Sequence, residues 1–153
     1  MRTLHVGLRV TDIERSLAFH TALGYEVAGE VPRTGIGHLT MLRLPGDPFV
    51  SLELVHDPAG SAVRPGTVLS HLVVAVESMS ALVAALAGQG VDVEPPTSPD
   101  GSADFLAAWV TDPDGTRIEL VQWPPGHPGG MTAADLPGWA PLRGALSPGG
   151  RSG

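Results

Sequence analysis

The 153-residue chain contains no cysteine, no lysine and no asparagine. The absence of cysteine excludes disulfide bonds and thiolate metal ligands. The 9 basic residues are all arginine, form no cluster and are outnumbered by 16 acidic residues, which gives a net charge of −7. This balance makes nucleic acid and anionic membrane surfaces poor candidate partners.

Long apolar runs are also missing from the sequence. None approaches the roughly 18 residues that a membrane-spanning helix needs. A strand pattern starts at Leu4 with no signal-like segment before it. We therefore expect a soluble cytoplasmic protein.

An internal repeat is the most informative feature that the sequence does contain. Residues 4–55 and 70–121 align at a constant offset of 66, which places His5 over His71 and Glu53 over Glu119. On composition alone, this double coincidence has a chance of roughly one in 500. Apolar and glycine positions coincide as well: Val10/Val76, Leu17/Val83, Gly24/Gly90, Val27/Val93, Leu44/Val110, Leu52/Ile118, Leu54/Leu120 and Val55/Val121.

Each copy has the pattern of a strand, a helix and three further strands, so the predicted fold class is α+β with two tandem βαβββ modules. The predicted strands are 4–10, 25–31, 38–44 and 49–55 in the first copy, and 70–76, 91–94, 104–111 and 117–122 in the second. Thr11 or Asp12 can cap the first helix, Ser78 the second, and Gly24 suits a helix C-terminus. The predicted organisation is a first module at 1–58, a linker at 59–69, a second module at 70–122 and a tail at 123–153.

The alternation of side chains along a strand places the repeated acids and imidazoles on one side of each sheet. Glu53 lies between Leu52 and Leu54, which point to the opposite face, and Glu119 lies in the same way between Ile118 and Leu120. Small or slim residues near the histidines, namely Gly7, Val73 and Ala75, leave room for a cavity on that side.

Two neutral imidazoles and two carboxylates are a suitable ligand set for a divalent cation, whose charge offsets that of the carboxylates. We therefore predict a metal site formed by His5, Glu53, His71 and Glu119, with nickel, cobalt or zinc as the occupant. Four protein ligands leave two octahedral positions free for a substrate with oxygens on adjacent carbons. The metal then acts as a Lewis acid while a nearby base removes a carbon-bound proton, giving an enediolate.

Four segments make the chain resemble the vicinal oxygen chelate superfamily, and within it the glyoxalase I branch (lactoylglutathione lyase). They are LHVGLRVTD (4–12), SLELV (51–55), LSHLVVAV (69–76) and TDPDGTRIELVQ (111–122). The resemblance implies curved mixed sheets around a central metal cavity, a lyase activity on a 2-oxoaldehyde hemithioacetal, and a homodimer. It also implies that Glu119 is the catalytic base, Glu53 the second catalytic carboxylate, and Arg9 the group that holds a substrate carboxylate.

The location of the site, the class of function and the thiol partner remain open on the sequence alone. The metal site lies either within one chain or across two. An extradiol-type dioxygenase would use only His5, His71 and Glu119, and a metal-free antibiotic-binding protein would use the same fold without a ligand set. His56 and Asp57 follow the glutamate segment where glyoxalase I usually has an asparagine that helps bind glutathione, so the thiol partner is open too.

The remaining histidines and the C-terminal segment have simpler interpretations. We expect His20 to pack on its helix or lie at the surface, and His38 and His127 to be exposed; Arg9 could instead be an internal counterion to Glu53 or Glu119. From Trp123 onward the chain has 6 prolines and 8 glycines in 31 residues, which is typical of a tail. Met131, Leu136 and Trp139 are candidates to anchor it, with disorder expected beyond about Pro141.

Overall fold

The computed structural model describes residues 2–60, 62–64, 66 and 68–136. Its elements run in the order strand β1 (Val6–Val10), helix α1 (Ile13–Ala22), and strands β2 (Glu26–Thr34), β3 (Gly37–Arg43) and β4 (Leu52–His56). Strand β5 (Leu72–Ala75), helix α2 (Met79–Gly88), strands β6 (Leu106–Thr111) and β7 (Arg117–Gln122) and a short 3-10 helix (Ala133–Asp135) follow. This architecture confirms the predicted α+β class. No helix in the described part of the chain is long and apolar enough to cross a membrane.

The two helices begin and end 66 residues apart, as the repeat predicts. The Asp12 side chain caps α1 by accepting from the backbone N–H of Arg15, and Ser78 caps α2 by accepting from that of Ala81. Gly24 follows α1 with a φ of +100°, a conformation that favours glycine. Of the two candidates for the first cap, Asp12 is therefore the residue that acts.

The strands form a four-stranded sheet in the order β1-β4-β3-β2 and a three-stranded sheet in the order β5-β7-β6. Strand β1 pairs in parallel with β4, and β5 in parallel with β7. Both sheets and both helices contribute to one hydrophobic core, which contains Leu8, Leu54, Leu86 and Leu120 among its buried residues. The two modules therefore share the core on their helix-bearing faces.

One predicted strand, at 91–94, is absent from the described structure. Its last residue, Glu94, still donates its backbone N–H to the carbonyl of Trp109, and Thr97 forms an isolated bridge with Ala107. Between these two contacts lie Pro95 and Pro96, which have no N–H to donate, so a continuous ladder cannot form.

Strands β3 and β6, which are equivalent in the two copies, depart from the offset of 66. Leu42 pairs with Leu52 in the first sheet, whereas Val110 pairs with Ile118 in the second. The alignment of Leu44 with Val110 is thus wrong by two residues, because the chain has two fewer residues between Val110 and Ile118 than between Leu42 and Leu52.

Residues 123–136 have more structure than the composition of a tail suggests. The Trp123 ring stacks on Phe105 with centroids 4.9 Å apart and on His127 at 4.1 Å, and His127 pairs with Asp135 at 3.1 Å. The expectation of an exposed His127 is therefore wrong. Met131 is 68% exposed and does not anchor the segment; the expectations for Trp139 and beyond Pro141 lie outside the described residues.

Candidate metal centre

Each copy of the repeat brings one histidine and one glutamate together. His5 and His71 each immediately precede the first strand of their copy, and Glu53 and Glu119 lie on the strand that pairs with it. The distance from histidine Nε2 to glutamate Oε2 is 3.5 Å in both pairs. The repeat in sequence is therefore also a repeat in side-chain geometry.

Both pairs lie on the sheet faces that point away from the shared core. Leu52, Leu54, Ile118 and Leu120 are at most 2% exposed and fill the core side of β4 and β7. The alternation along a strand then directs Glu53 and Glu119 to the other side. Both histidine side chains are 34% exposed, so the imidazoles are partly open to solvent.

The two glutamates differ in how tightly they are held. Glu53 has a side chain that is 10% exposed, compared with 25% for Glu119. Gly7 lies opposite Glu53, and a Cβ added there would be 3.3 Å from Glu53 Oε1. In the second copy Val73 occupies the position opposite Glu119. The first carboxylate thus fills space that only a glycine leaves open.

The separation within each pair fits two adjacent ligands of one divalent cation. Ligands that bind a metal at about 2.1 Å in tetrahedral or octahedral geometry lie about 3.0–3.4 Å apart. The donor set also fits, because imidazole nitrogen and carboxylate oxygen suit nickel, cobalt and zinc. Each pair therefore has the chemistry and spacing of half a site.

The described residues do not bring all four side chains together. No group of three or more histidine, cysteine, aspartate or glutamate side chains in the described part of the chain is arranged to hold a metal ion. A complete set of four ligands therefore requires the two pairs to meet in some way other than within one chain as it is folded here.

Arg9 lies on the same strand face as His5 and Gly7 and opens onto a cleft beyond them. Its Nη1 donates to the Ile36 carbonyl at 3.3 Å. The cleft is also lined by Arg33 and by residues 34–38, which span the end of β2, the turn and the start of β3. In the ion pairs of the described residues Glu53 and Glu119 partner histidines and not Arg9, so the alternative of an internal counterion has no support.

Two residues beside His71 were not identified from the sequence. Ser70 Oγ lies 3.0 Å from His71 Nδ1, and the Trp109 ring meets the imidazole edge-on with centroids 5.1 Å apart. Trp109 could have been found from the pairing of β6 with β7, which places it opposite Glu119. Its position could not be predicted with the constant offset of 66, because that offset misplaces the register of β6.

The other histidines are not part of this centre. His20 is fully buried between Phe19 and Tyr25 and bonds through Nδ1 to the Ser16 carbonyl. Burial lowers its pKa from 6.5 and raises that of Tyr25 from 10.0. His38 is 33% exposed and pairs with Glu30 at 3.1 Å. His56 lies opposite His38 at the end of β4 and is not a partner of the two His–Glu pairs in the described residues.

Comparison with known proteins identifies relatives along most of the chain. The family model of the glyoxalase/bleomycin resistance protein/dioxygenase superfamily matches residues 2–120. The lactoylglutathione lyase of Salmonella typhimurium is 28% identical over 125 residues, which cover 80% of this chain and 93% of that protein. An Arabidopsis thaliana lactoylglutathione lyase is also 28% identical, but the chain spans only 44% of its length.

Solved structures share the fold. The trypanothione-dependent glyoxalase I of Leishmania major superposes with a TM-score of 0.66 at 28% identity, over 80% of this chain and 86% of that one. A glyoxalase family protein from Enterococcus faecalis superposes with a TM-score of 0.65 at 26% identity, over 79% and 97%. The family match covers strands of both sheets and ends at residue 120, within β7.

Proposed function

The chain belongs to the glyoxalase/bleomycin resistance protein/dioxygenase superfamily, and on that premise we propose that it is a metal-dependent lyase of the glyoxalase I type. Its substrate would be the hemithioacetal of a 2-oxoaldehyde, in which oxygens on adjacent carbons are available to a cation. The observation that carries the proposal is the pair of His–Glu contacts, each with an Nε2–Oε2 separation of 3.5 Å.

His5, Glu53, His71 and Glu119 would hold one divalent cation: nickel, cobalt or zinc. A metal-free binding protein has no use for two such pairs in equivalent positions. An extradiol dioxygenase needs two histidines and one carboxylate and keeps the remaining positions open. Glu53 lies 3.5 Å from His5 and is only 10% exposed, so it would crowd a position that dioxygen requires.

We propose that the complete site forms between two chains. Each pair faces away from the core that the two modules share, so a second copy of the chain can bring its second pair to the first pair of its partner. A two-fold dimer would then contain two equivalent sites, since an isologous contact repeats itself. Val31 and Val73 are apolar residues about half exposed on these faces, and such a contact would cover them.

The two glutamates would have different roles in proton transfer. A bound divalent cation would polarise the substrate oxygens and stabilise the negative charge that develops on them. Glu119, whose side chain is the more exposed of the two carboxylates, would remove the proton from one carbon and return it to the neighbouring carbon. Glu53, held over Gly7, would remain in place as the second carboxylate.

Arg9 would bind a carboxylate of the thiol part of the substrate. It opens onto a cleft next to the first pair that contains a second arginine, Arg33. Among the relatives, the name of one refers to a glutathione product and another is trypanothione-dependent. The thiol is therefore to be found by assay, with several thiols compared on the same aldehyde.

Metal analysis and a thiol-dependent assay test the proposal. Protein purified without added metal should contain about one divalent ion per pair of modules, and His5→Ala or His71→Ala should lower that content sharply. The wild-type protein should isomerise the methylglyoxal hemithioacetal of at least one thiol. Unchanged metal content in both variants would disprove the ligand assignment, and metal binding without turnover of any hemithioacetal would disprove the substrate class.

A further inference from the structure

We propose that Ser70 and Trp109 are positioning residues that fix the imidazole of His71 with Nε2 directed at the metal. The inference rests on the proposed metal site and concerns how one of its ligands is oriented before the ion arrives. It also distinguishes the two halves of the site, because the first copy of the repeat lacks both residues.

Ser70 sets which nitrogen of His71 is available. A neutral imidazole carries one proton, and a histidine that ligates a metal through Nε2 has that proton on Nδ1. The Ser70 hydroxyl oxygen lies 3.0 Å from Nδ1 and can accept that hydrogen bond. The lone pair is then left on Nε2, which lies 3.5 Å from Glu119 Oε2.

Trp109 sets the plane of the ring. It stands opposite Glu119 on β6, with β7 lying between it and the strand that follows His71. The two rings nonetheless meet above β7, with centroids 5.1 Å apart and planes at 77°. An edge-to-face contact of this kind restricts the rotation of the smaller ring.

The indole is itself held by charged neighbours. The guanidinium carbon of Arg117 lies 4.8 Å from the centroid of the Trp109 ring, within cation–π distance. Arg117 in turn pairs with Glu94. Among the described ion pairs, this cation is thus engaged by Glu94 while Glu119 pairs with His71, which leaves the ligand carboxylate free of a competing arginine.

The first copy offers a matched comparison. Leu4 precedes His5 where Ser70 precedes His71, so no hydroxyl is available from that position. Met41 stands opposite Glu53 where Trp109 stands opposite Glu119. Truncating Met41 therefore removes a side chain from the equivalent place and leaves Ser70 and Trp109 unchanged.

Cobalt titration of the full chain, followed by absorption and by tryptophan emission, tests whether Ser70 and Trp109 position His71. Ser70→Ala and Trp109→Ala should each weaken cobalt binding by about 10- to 100-fold, the range found for partners of metal-ligating histidines. Ser70→Thr and Trp109→Phe should restore most of the affinity, and Met41→Ala should leave it near the wild-type value. Cobalt should quench the emission of the wild-type protein, and Trp109→Phe should lose the larger part of that quenching.

The possible outcomes separate the inference from the proposed function. If the wild-type protein binds no cobalt, the metal site itself is wrong and the inference is overturned with it. If the wild-type protein binds cobalt and the folded Ser70→Ala and Trp109→Ala variants bind it equally well, only the positioning role of Ser70 and Trp109 is overturned. Should Trp109→Ala not fold, Ser70→Ala decides, because Ser70 is exposed and its hydroxyl is removed without loss of packing.

Discussion

Glu53 and Glu119 both end in a carboxylate, but the two side chains differ in how closely they are packed. Glu53 is packed over Gly7, where even a methyl group would lie 3.3 Å from its Oε1. Glu119 has a side chain that is 25% exposed and stands opposite Val73 and Trp109. At the scale of single residues, this difference in packing supports the proposal that Glu53 stays in place while Glu119 transfers the proton.

Glu119→Gln should keep much of the metal yet lose most of the turnover. An amide oxygen still coordinates a cation but cannot accept a proton, and a positioned general base contributes about 10² to 10⁴ in rate. Glu53→Gln should be milder. Turnover of a hemithioacetal by both metal-loaded variants checks the assignment: the reverse order of losses would exchange the two roles, and full activity in both would remove the carboxylates from proton transfer.

His20 connects the stability of the protein to pH. Its Nε2 is buried and has no hydrogen-bond partner among the described residues, and burial lowers its pKa from 6.5 against weaker opposing effects of the Ser16 carbonyl and Asp112. The folded protein therefore keeps His20 neutral where the unfolded chain takes up a proton. Stability from this residue is complete above the unfolded pKa and is lost as pH falls below it toward the lowered folded value.

His20→Leu should remove that part of the pH dependence. Between about pH 7.5 and about pH 5.5 the free energy of unfolding of the wild-type protein should fall by about 1 kcal/mol more than that of the variant. Urea unfolding at both pH values measures the difference, in which the contributions of the other histidines cancel. An equal fall in the two proteins would contradict the assignment to His20.

At the scale of elements, the β6–β7 turn of the second module holds the start of α1 in the first. The Asp114 carboxylate accepts from the backbone N–H of Thr11 at 3.1 Å and from the Thr11 hydroxyl, and its side chain is 5% exposed. Arg15 Nη2 donates to the Pro113 carbonyl at 2.9 Å. Two elements about 100 residues apart in sequence are thereby fixed to each other.

Asp114→Ala should destabilise the fold by about 1–3 kcal/mol, because the N–H and the hydroxyl of Thr11 lose a charged acceptor. Asp92→Ala removes an exposed aspartate and serves as the control, with an expected change within about 0.5 kcal/mol. Thermal or urea unfolding compares the two. An Asp114 variant as stable as the control would show that the turn does not hold the helix.

The repeat made the helices predictable but not every strand. Helix positions followed from caps and glycines, which act locally, and both copies agreed with the offset of 66. The strand at 91–94 failed because Pro95 and Pro96 interrupt its hydrogen bonds. The position of Trp109 relative to Glu119 depended on the spacing between paired strands, which is two residues shorter than that between Met41 and Glu53. An ungapped comparison cannot detect this difference.

At the scale of the whole molecule, the sequence predicted the sheet faces on which the four candidate ligands lie, but not how the ligands group in space. Alternation along a strand places Glu53 and Glu119 on the faces away from the helices. It does not say how the two sheets pack on each other. In the described residues they share one core, so the two pairs face away from it, which is the basis for proposing a dimer.

Mixing two inactive variants distinguishes a site between chains from a site within one. If His5 and Glu53 of one chain meet His71 and Glu119 of another, a dimer of His5→Ala and His71→Ala chains contains one intact site and one that lacks both histidines. Co-refolding the two at equal concentration should then restore about one quarter of the wild-type sites, since half of the dimers are mixed and each regains one of two.

A second mixture serves as the control for that experiment. His5→Ala and Glu53→Gln alter the same half of the site, so every site in their mixed dimer lacks either the histidine or the carboxylate. Metal content and hemithioacetal turnover should rise in the first mixture and stay at the level of the separate variants in the second. A site contained within one chain would give no recovery in either mixture, because no exchange of chains can then reunite an intact first pair with an intact second pair.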